Sequence, residues 1–210
     1  MQAGARETRR LLAEYTSLAA RYDRRWHAYL DASLGMTFEV VRTLPAARVL
    51  DVACGTGLLL EMLANRPGEA ELFGVDRVPA MLEVAKQRLG QRATLPEGDA
   101  ENLPFDDAAF QLVTCTSAMH YFVDADAALR EMRRVLSPSG NLVITDWSRD
   151  FVTMKLLNRL LPMTRHAHVH TFSLGELESL LALARFRIVT SSKRKIDWFW
   201  GLMTVHAIAN

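Results

Sequence analysis

Arg48-Val49-Leu50-Asp51-Val52-Ala53-Cys54-Gly55-Thr56-Gly57-Leu58 is the stretch that settles what kind of chain this is. A short β-prone apolar run ends at an acidic residue, small residues and two glycines follow, and Leu58-Leu59-Leu60-Glu61-Met62-Leu63 carries on with a helical apolar pattern. The reading is strand, tight turn, helix. Gly55 and Gly57 lack a Cβ, so their backbone can take positive φ and lie against a ligand. The N–H groups that open the helix have no partner within it and face that ligand. A dinucleotide-binding turn places a third small residue three positions after its second glycine. Leu60 stands there instead.

The rest of the chain can support such a turn. Its 210 residues suffice for one α/β domain, which at this length buries roughly 70% of the extended-chain surface. Half the residues are apolar and the formal net charge is +1, so neither a disordered segment nor a nucleic-acid coat is expected. The first residues carry no apolar leader core, and no apolar run is long enough to span a bilayer, so a cytoplasmic location is the expectation. Only Cys54 and Cys115 occur, which fits a reducing compartment without a disulfide framework.

Two apolar-periodic stretches, about Ala5–Ala20 and Tyr29–Leu44, precede the glycine turn, the second stopped by Pro45. As helices ahead of the first strand they can fold over its carboxyl edge, where ligands of open α/β sheets bind. Glu71-Leu72-Phe73-Gly74-Val75-Asp76 reads as a second strand ending in an acid, followed by a helix with Pro79 in its first turn. A carboxylate there can accept from two neighbouring hydroxyls at once, and it can also cap the helix. Further strands are predicted at about Ala93–Glu97, Phe110–Thr116, Asn141–Trp147, Arg187–Ser192 and Gly201–Ala209. An amphipathic helix over Asp124–Leu136 turns Arg130, Glu131, Arg133 and Arg134 to solvent and stops at Ser137-Pro138-Ser139-Gly140. Phe151–Leu161 is helix-like, and Ser173 with Glu176 forms a capping box for the last helix.

His166, His168 and His170 alternate, but same-face neighbours on a strand lie about 7 Å apart, too far for three to reach one ion from regular backbone. No metal site is expected. Trp198-Phe199-Trp200 beside Lys193-Arg194-Lys195 leaves two readings, contact with a membrane surface or apolar partner, or core aromatics of a hairpin.

Asp-x-Ala-x-Gly-x-Gly with Asp51 at the strand end resembles the first motif of class I S-adenosylmethionine-dependent methyltransferases. Gly98-Asp99-Ala100-Glu101-Asn102-Leu103-Pro104-Phe105 resembles the family's Gly-Asp-Ala-Glu-x-Leu-Pro-Phe segment, and residues 129–142 resemble its approach to the fifth strand. Tyr22-Asp23 is similar to the aromatic–acid element of its N-terminal cap, although a tyrosine packing one helix on another explains Tyr22 equally. The branch most resembled includes the ubiquinone and menaquinone C-methyltransferases.

The resemblance implies an α/β, Rossmann-like three-layer sandwich with an N-terminal helical cap. Its mostly parallel seven-stranded sheet would run in the order 3-2-1-4-5-7-6, the last strand antiparallel. One domain over 1–210 is expected, with a cap at 1–45, a cofactor-binding core at 46–148 and substrate-side elements at 149–210. The resemblance also implies S-adenosyl-L-methionine as methyl donor and S-adenosyl-L-homocysteine as product. Cofactor contacts are expected from Tyr22, Asp51, Ala53, Gly55, Thr56, Gly57, Asp76, Arg77, Asp99, Ala100 and Thr116. Among these, Asp76 would hold the ribose hydroxyls, Asp99 and the Ala100 backbone the adenine, and Thr116 the methionyl part. His120 is the first candidate base if the acceptor must lose a proton, and one of His166, His168 or His170 the second. The expected partner is a small, largely apolar acceptor (quinone-like, thiol or amine) for a monomer or homodimer, with no nucleic acid; peripheral membrane contact stays open. Two rivals remain, a binding-only sensor or scaffold and a nicotinamide-dependent dehydrogenase. Leu60 and the closing antiparallel pair oppose the second.

Overall fold

A computed structural model describes residues 2–66, 68–160 and 170–210, with side chains described from residue 9 onward. The helices are α1 (Gln2–Leu18), α2 (Tyr22–Val41), α3 (Leu58–Ala64), α4 (Pro79–Leu89), α5 (Ala125–Val135), α6 (Val152–Leu160) and α7 (Leu174–Leu183). The strands are β1 (Arg48–Val52), β2 (Glu71–Val75), β3 (Phe110–Thr116), β4 (Leu136–Trp147), β5 (Phe186–Lys195) and β6 (Gly201–Ala209). They form one sheet in the order β2-β1-β3-β4-β6-β5, parallel from β2 to β4, with β6 antiparallel to both neighbours. The closing antiparallel pair is therefore where the sequence puts it.

Six strands are assigned among the described residues, which corrects the expected seven. Residues 94–98 do run along β2: Thr94 N–H donates to Leu72 O at 2.9 Å and Gly98 N–H to Asp76 O at 3.1 Å. In this alternation the donor between them belongs to Pro96, which has no N–H. The edge ladder breaks there, leaving only bridges at Thr94 and Glu97. The second helix also starts earlier than the apolar pattern from Tyr29 suggests: α2 begins at Tyr22 and kinks at Trp26 (φ −112°, ψ 16°).

Alternation along the central strands builds the layers. Leu50, Val113 and Leu142 point to one face and pack with Leu129 and Met132 of α5 and Leu177 and Leu181 of α7. Val49, Leu112 and Val143 point to the other, against Val41 of α2, Leu59 and Leu60 of α3 and Leu82 and Leu89 of α4. A smaller cluster joins Leu11, Leu12 and Tyr15 of α1 to Val78 and Met81, which lays α1 over the carboxyl edge of the sheet. The predicted capping box is present at Ser173 and Glu176.

Packing is tight where α3 crosses β2. A Cβ on Gly74 would sit 2.6 Å from Leu60 Cδ1, 2.8 Å from Cys54 Sγ and 2.9 Å from Leu95 Cδ2. Three buried neighbours would have to move together, so Gly74→Ala is expected to destabilise by about 1–3 kcal/mol. The measurement is the urea midpoint, which falls while the slope of the transition stays unchanged.

Candidate functional site

The carboxyl ends of β1 to β4 deliver Asp51, Asp76, Thr116 and Asp146 to one edge of the sheet. After β1 the chain takes positive φ at Ala53 (57°), Gly55 (54°) and Gly57 (78°), then enters α3. A Cβ on Gly57 would meet Leu89 Cδ1 at 3.0 Å and Ala85 Cβ at 3.1 Å, so this glycine serves close packing on α4. Gly55 is different: a Cβ there meets nothing within 4 Å, and its bare backbone lines a cavity.

Asp76 ties this turn to the next strand end. Its Oδ2 accepts from Gly55 N–H and its Oδ1 from Val78 N–H, both at 2.8 Å. Burial pushes the Asp76 carboxyl up, and the N–H groups of Val78, Gly55 and Arg77 pull it back. Beyond these donors the carboxylate keeps acceptor capacity for a ligand hydroxyl. Asp99 pairs with Arg77 and accepts from Glu101 N–H at 3.0 Å, which fixes the loop that begins at Gly98. That loop is braced from below by Arg134, whose guanidinium donates to Leu103 O and Phe105 O and pairs with Glu131 and Asp107. Arg134 is therefore a structural fastener and not the solvated charge expected.

Together these groups wall a cavity of about 750 Å³, counting the part open to solvent. Tyr22, Ala53, Gly55 and Asp76 line it, as do Arg77, Asp99, Ala100 and Thr116. Val78, Met81 and Phe122 supply apolar wall. Three expected contacts are not in the lining. Thr56 gives its hydroxyl to Asp23 Oδ1 at 2.6 Å, and Arg88 clamps Asp23 Oδ2 at 2.5 Å, so this trio fastens α2 to the glycine turn. Gly57 lies under the turn. Asp51 is buried and accepts from Thr114 Oγ1 at 2.7 Å.

A second, larger cavity of about 2160 Å³, again counting its open part, adjoins the first and shares Tyr15, Tyr22, Ser117 and Tyr121 with it. His120, Tyr29, Trp147 and Trp200 line it. His120 is buried, with Nδ1 on Asp146 Oδ1 at 2.6 Å, its own N–H on Asp146 Oδ2 at 3.1 Å, and its ring stacked on Trp147 at 3.8 Å. The polar ends of the aromatic wall bond to one another: Tyr15 to Tyr121 at 2.6 Å, Trp147 Nε1 to Tyr29 at 2.9 Å, Tyr29 to Ser117 at 2.7 Å. Rings make up much of the wall, alongside Arg10, Glu14 and Arg25. Sequence reading missed Asp146 and most of these rings; the one available signal was a third acid ending a central strand, as Asp51 and Asp76 do. His170 lies near Arg149 (3.4 Å) and its N–H meets His120 O at 3.2 Å, with burial and the Arg149 charge holding its pKa down. His166 and His168 lie outside the described residues. Among the described residues no cluster of metal-ligating side chains occurs, and no helix is long and apolar enough to cross a membrane.

Burial raises Asp51 to about 7, with Thr114 pulling it down and Asp76 pushing it further up. That value lies above the unfolded carboxylate near 3.9. The folded chain thus holds this proton more tightly, and the stability Asp51 contributes is complete below about pH 4 and lost as pH rises to about 7. Asp51→Asn is expected to flatten that decline. Urea midpoints of both proteins across the same pH range measure it; parallel profiles would remove Asp51 as the cause.

Comparison with known proteins places this geometry. The methyltransferase domain family matches residues 49–140. The demethylmenaquinone methyltransferase of Deinococcus radiodurans is 44% identical over 103 residues, which is 48% of this chain and 43% of that one. The chain thus aligns with less than half the length of that relative. The ubiquinone/menaquinone biosynthesis C-methyltransferase UbiE of Geobacter sp. is 33% identical over 165 residues, 70% of this chain and 67% of that one. Among solved structures, an S-adenosylmethionine-dependent methyltransferase from Thermotoga maritima superposes with a TM-score of 0.76 at 20% identity, covering 95% of this chain and 99% of that one.

Proposed function

The chain belongs to the class I S-adenosylmethionine-dependent methyltransferases, and from that premise we propose that it methylates a small, planar, apolar acceptor of the quinone type. The observation that carries this reading is the junction of the two cavities. One has the donor set an adenosyl ligand needs, a bare glycine backbone, the Asp76 and Asp99 carboxylates and an apolar rim. The other is walled mostly by aromatic side chains, with Arg10, Glu14 and Arg25 among them, and holds the buried His120–Asp146 pair. The relatives that act on quinones bear on the acceptor, and the aromatic wall suits a flat ring.

S-adenosylmethionine supplies a sulfonium-activated methyl group when bound. The chain's work is then to position, to exclude water and to move a proton. Asp76 accepts from the two ribose hydroxyls with the lone pairs its backbone donors leave. Asp99 and the Ala100 backbone take the adenine edge, with Arg77 holding Asp99 in place. Tyr22 and Tyr15 close the site from the N-terminal helices. Holding donor and acceptor in line can lower such a barrier by roughly 7–11 kcal/mol. With Nδ1 held by Asp146, His120 Nε2 would take the proton of the acceptor hydroxyl, which makes the adjacent ring carbon nucleophilic; that carbon's own hydrogen would leave as a second proton when the ring becomes aromatic again.

Asp76→Ala removes charge-assisted hydrogen bonds of about 1.5–3 kcal/mol, so affinity for S-adenosylhomocysteine is expected to fall roughly 10- to 150-fold. Calorimetry giving unchanged affinity in a folded variant would take Asp76 out of the site. His120→Ala is expected to lower kcat for a demethylated quinol analogue by about 100- to 10,000-fold, with S-adenosylhomocysteine affinity retained. Full turnover in that variant would leave the proton transfer without its base. Absence of methyl transfer to quinol, thiol and amine acceptors by the unaltered protein would favour a binding-only sensor.

A further inference from the structure

Beside the acceptor cavity lies a surface with no part in methyl transfer. α6 sends Leu157 into that cavity and Met154 into the core. Its Val152, Leu156 and Leu160, spaced by four, are 79%, 58% and 47% exposed. Residues at that spacing share one face of a helix. Lys155 and Arg159, also exposed, fall on the flank of the same face, and α6 contains no acidic residue. The first turn of α6 is bonded to the hairpin between β5 and β6, where Thr153 Oγ1 donates to Phe199 O at 2.5 Å. At the tip of that hairpin Trp198 is 80% exposed, and Lys195 Nζ donates to its carbonyl oxygen at 2.8 Å. Trp200, two residues on, lines the cavity.

Exposed apolar residues scattered singly are ordinary. Three in register on one helix, a tryptophan at the adjoining tip and cations on the flank make the pattern of an interfacial helix. We propose that α6 and the Trp198 tip seat the protein on an anionic lipid bilayer. The stripe lies in the headgroup–acyl boundary, and Lys155, Arg159 and Lys195 meet lipid phosphates. Leu157 and Trp200 then place the mouth of the acceptor cavity at the lipid surface, so an apolar acceptor enters without crossing water. That last step rests on the proposed function, whereas the docking itself does not.

The test sediments the full chain with large unilamellar vesicles of phosphatidylcholine, with and without phosphatidylglycerol. Binding is expected to the phosphatidylglycerol vesicles and to weaken with salt. Leu156→Asp and Trp198→Ala are each expected to lower partitioning about tenfold, and Lys155→Gln and Arg159→Gln about fivefold each. S-adenosylhomocysteine affinity, measured in every variant, should stay at the wild-type value, because none of these residues lines either cavity. Three results would overturn the proposal: no binding to either vesicle, vesicle binding that Leu156→Asp leaves intact, or a lipid-free dimer that Leu156→Asp converts to monomer. Vesicle binding by a wild-type chain that fails to bind S-adenosylhomocysteine would sink the methyl-transfer reading and leave the docking standing.

Discussion

The Asp76 carboxylate joins two strand ends that would otherwise be independent. Its two oxygens take N–H groups from Gly55, after β1, and from Val78, after β2. Both donors sit where a chain leaves a parallel strand and has no ladder partner left to meet. An acid at that point answers both needs with one side chain, and it does so at the cost of burying a charge. The cost explains why burial is the dominant influence on Asp76 and why three backbone donors are needed to offset it. It also explains the neighbouring Asp51, which has Thr114 and no such N–H set and is driven up to about 7. Burial raises both carboxyls, and Asp76 has three N–H donors working against that rise where Asp51 has one hydroxyl.

Fixing the glycine turn in this way would be of little use if the N-terminal helices were loosely attached. The clamp of Thr56 and Arg88 on Asp23 couples α2 to both the turn and α4. α1 is held in turn by Tyr15, which bonds Tyr121 across the site and packs with Tyr22. The cap is therefore part of the same hydrogen-bonded frame as the strand ends. Thr37 extends that frame inward, bridging Thr116 and Thr145 at 2.9 and 2.8 Å, so the end of β3 is positioned by a helix that precedes it by a long stretch of chain.

How much of this was legible in the sequence follows from what each part depends on. The β1 turn, Asp76 and the Gly98–Phe105 loop are local: a few consecutive residues determine the backbone path, so their spacing can be read directly. The central strands were placed well because each holds a short apolar run, although β4 already begins at Leu136, through the Ser137–Gly140 stretch expected to be a helix stop, and β5 continues through polar residues to Lys195. The edge segment near Pro96 failed as a strand for a reason visible in one residue, the missing N–H that breaks the alternation of donors. The direction of the Thr56 hydroxyl was not legible, because the glycine turn fixes only its backbone and the hydroxyl is turned by Asp23, far off in sequence. The aromatic wall was less legible still. Tyr15, Tyr29, Tyr121, Trp147 and Trp200 come from separate elements with no common spacing, and only tertiary packing gathers them.

The same distinction bears on how the two cavities act on one another. They share Tyr15, Tyr22, Ser117 and Tyr121, and these four are not independent. Tyr15 bonds Tyr121, while Ser117 bonds Tyr29, which in turn accepts from Trp147. Ser117 holds a positive φ of 57°, a conformation that costs a non-glycine residue energy and persists only where surrounding bonds fix it. The two cavities therefore have a wall in common, held by one set of hydrogen bonds. The partition is built of neutral hydroxyls, because burial holds the Tyr15, Tyr22 and Tyr121 phenols well above their usual titration range. The larger cavity draws its wall from rings, the buried His120–Asp146 pair and the charged Arg10, Glu14 and Arg25, while the hydrogen bonds of the partition fix where the shared rings stand.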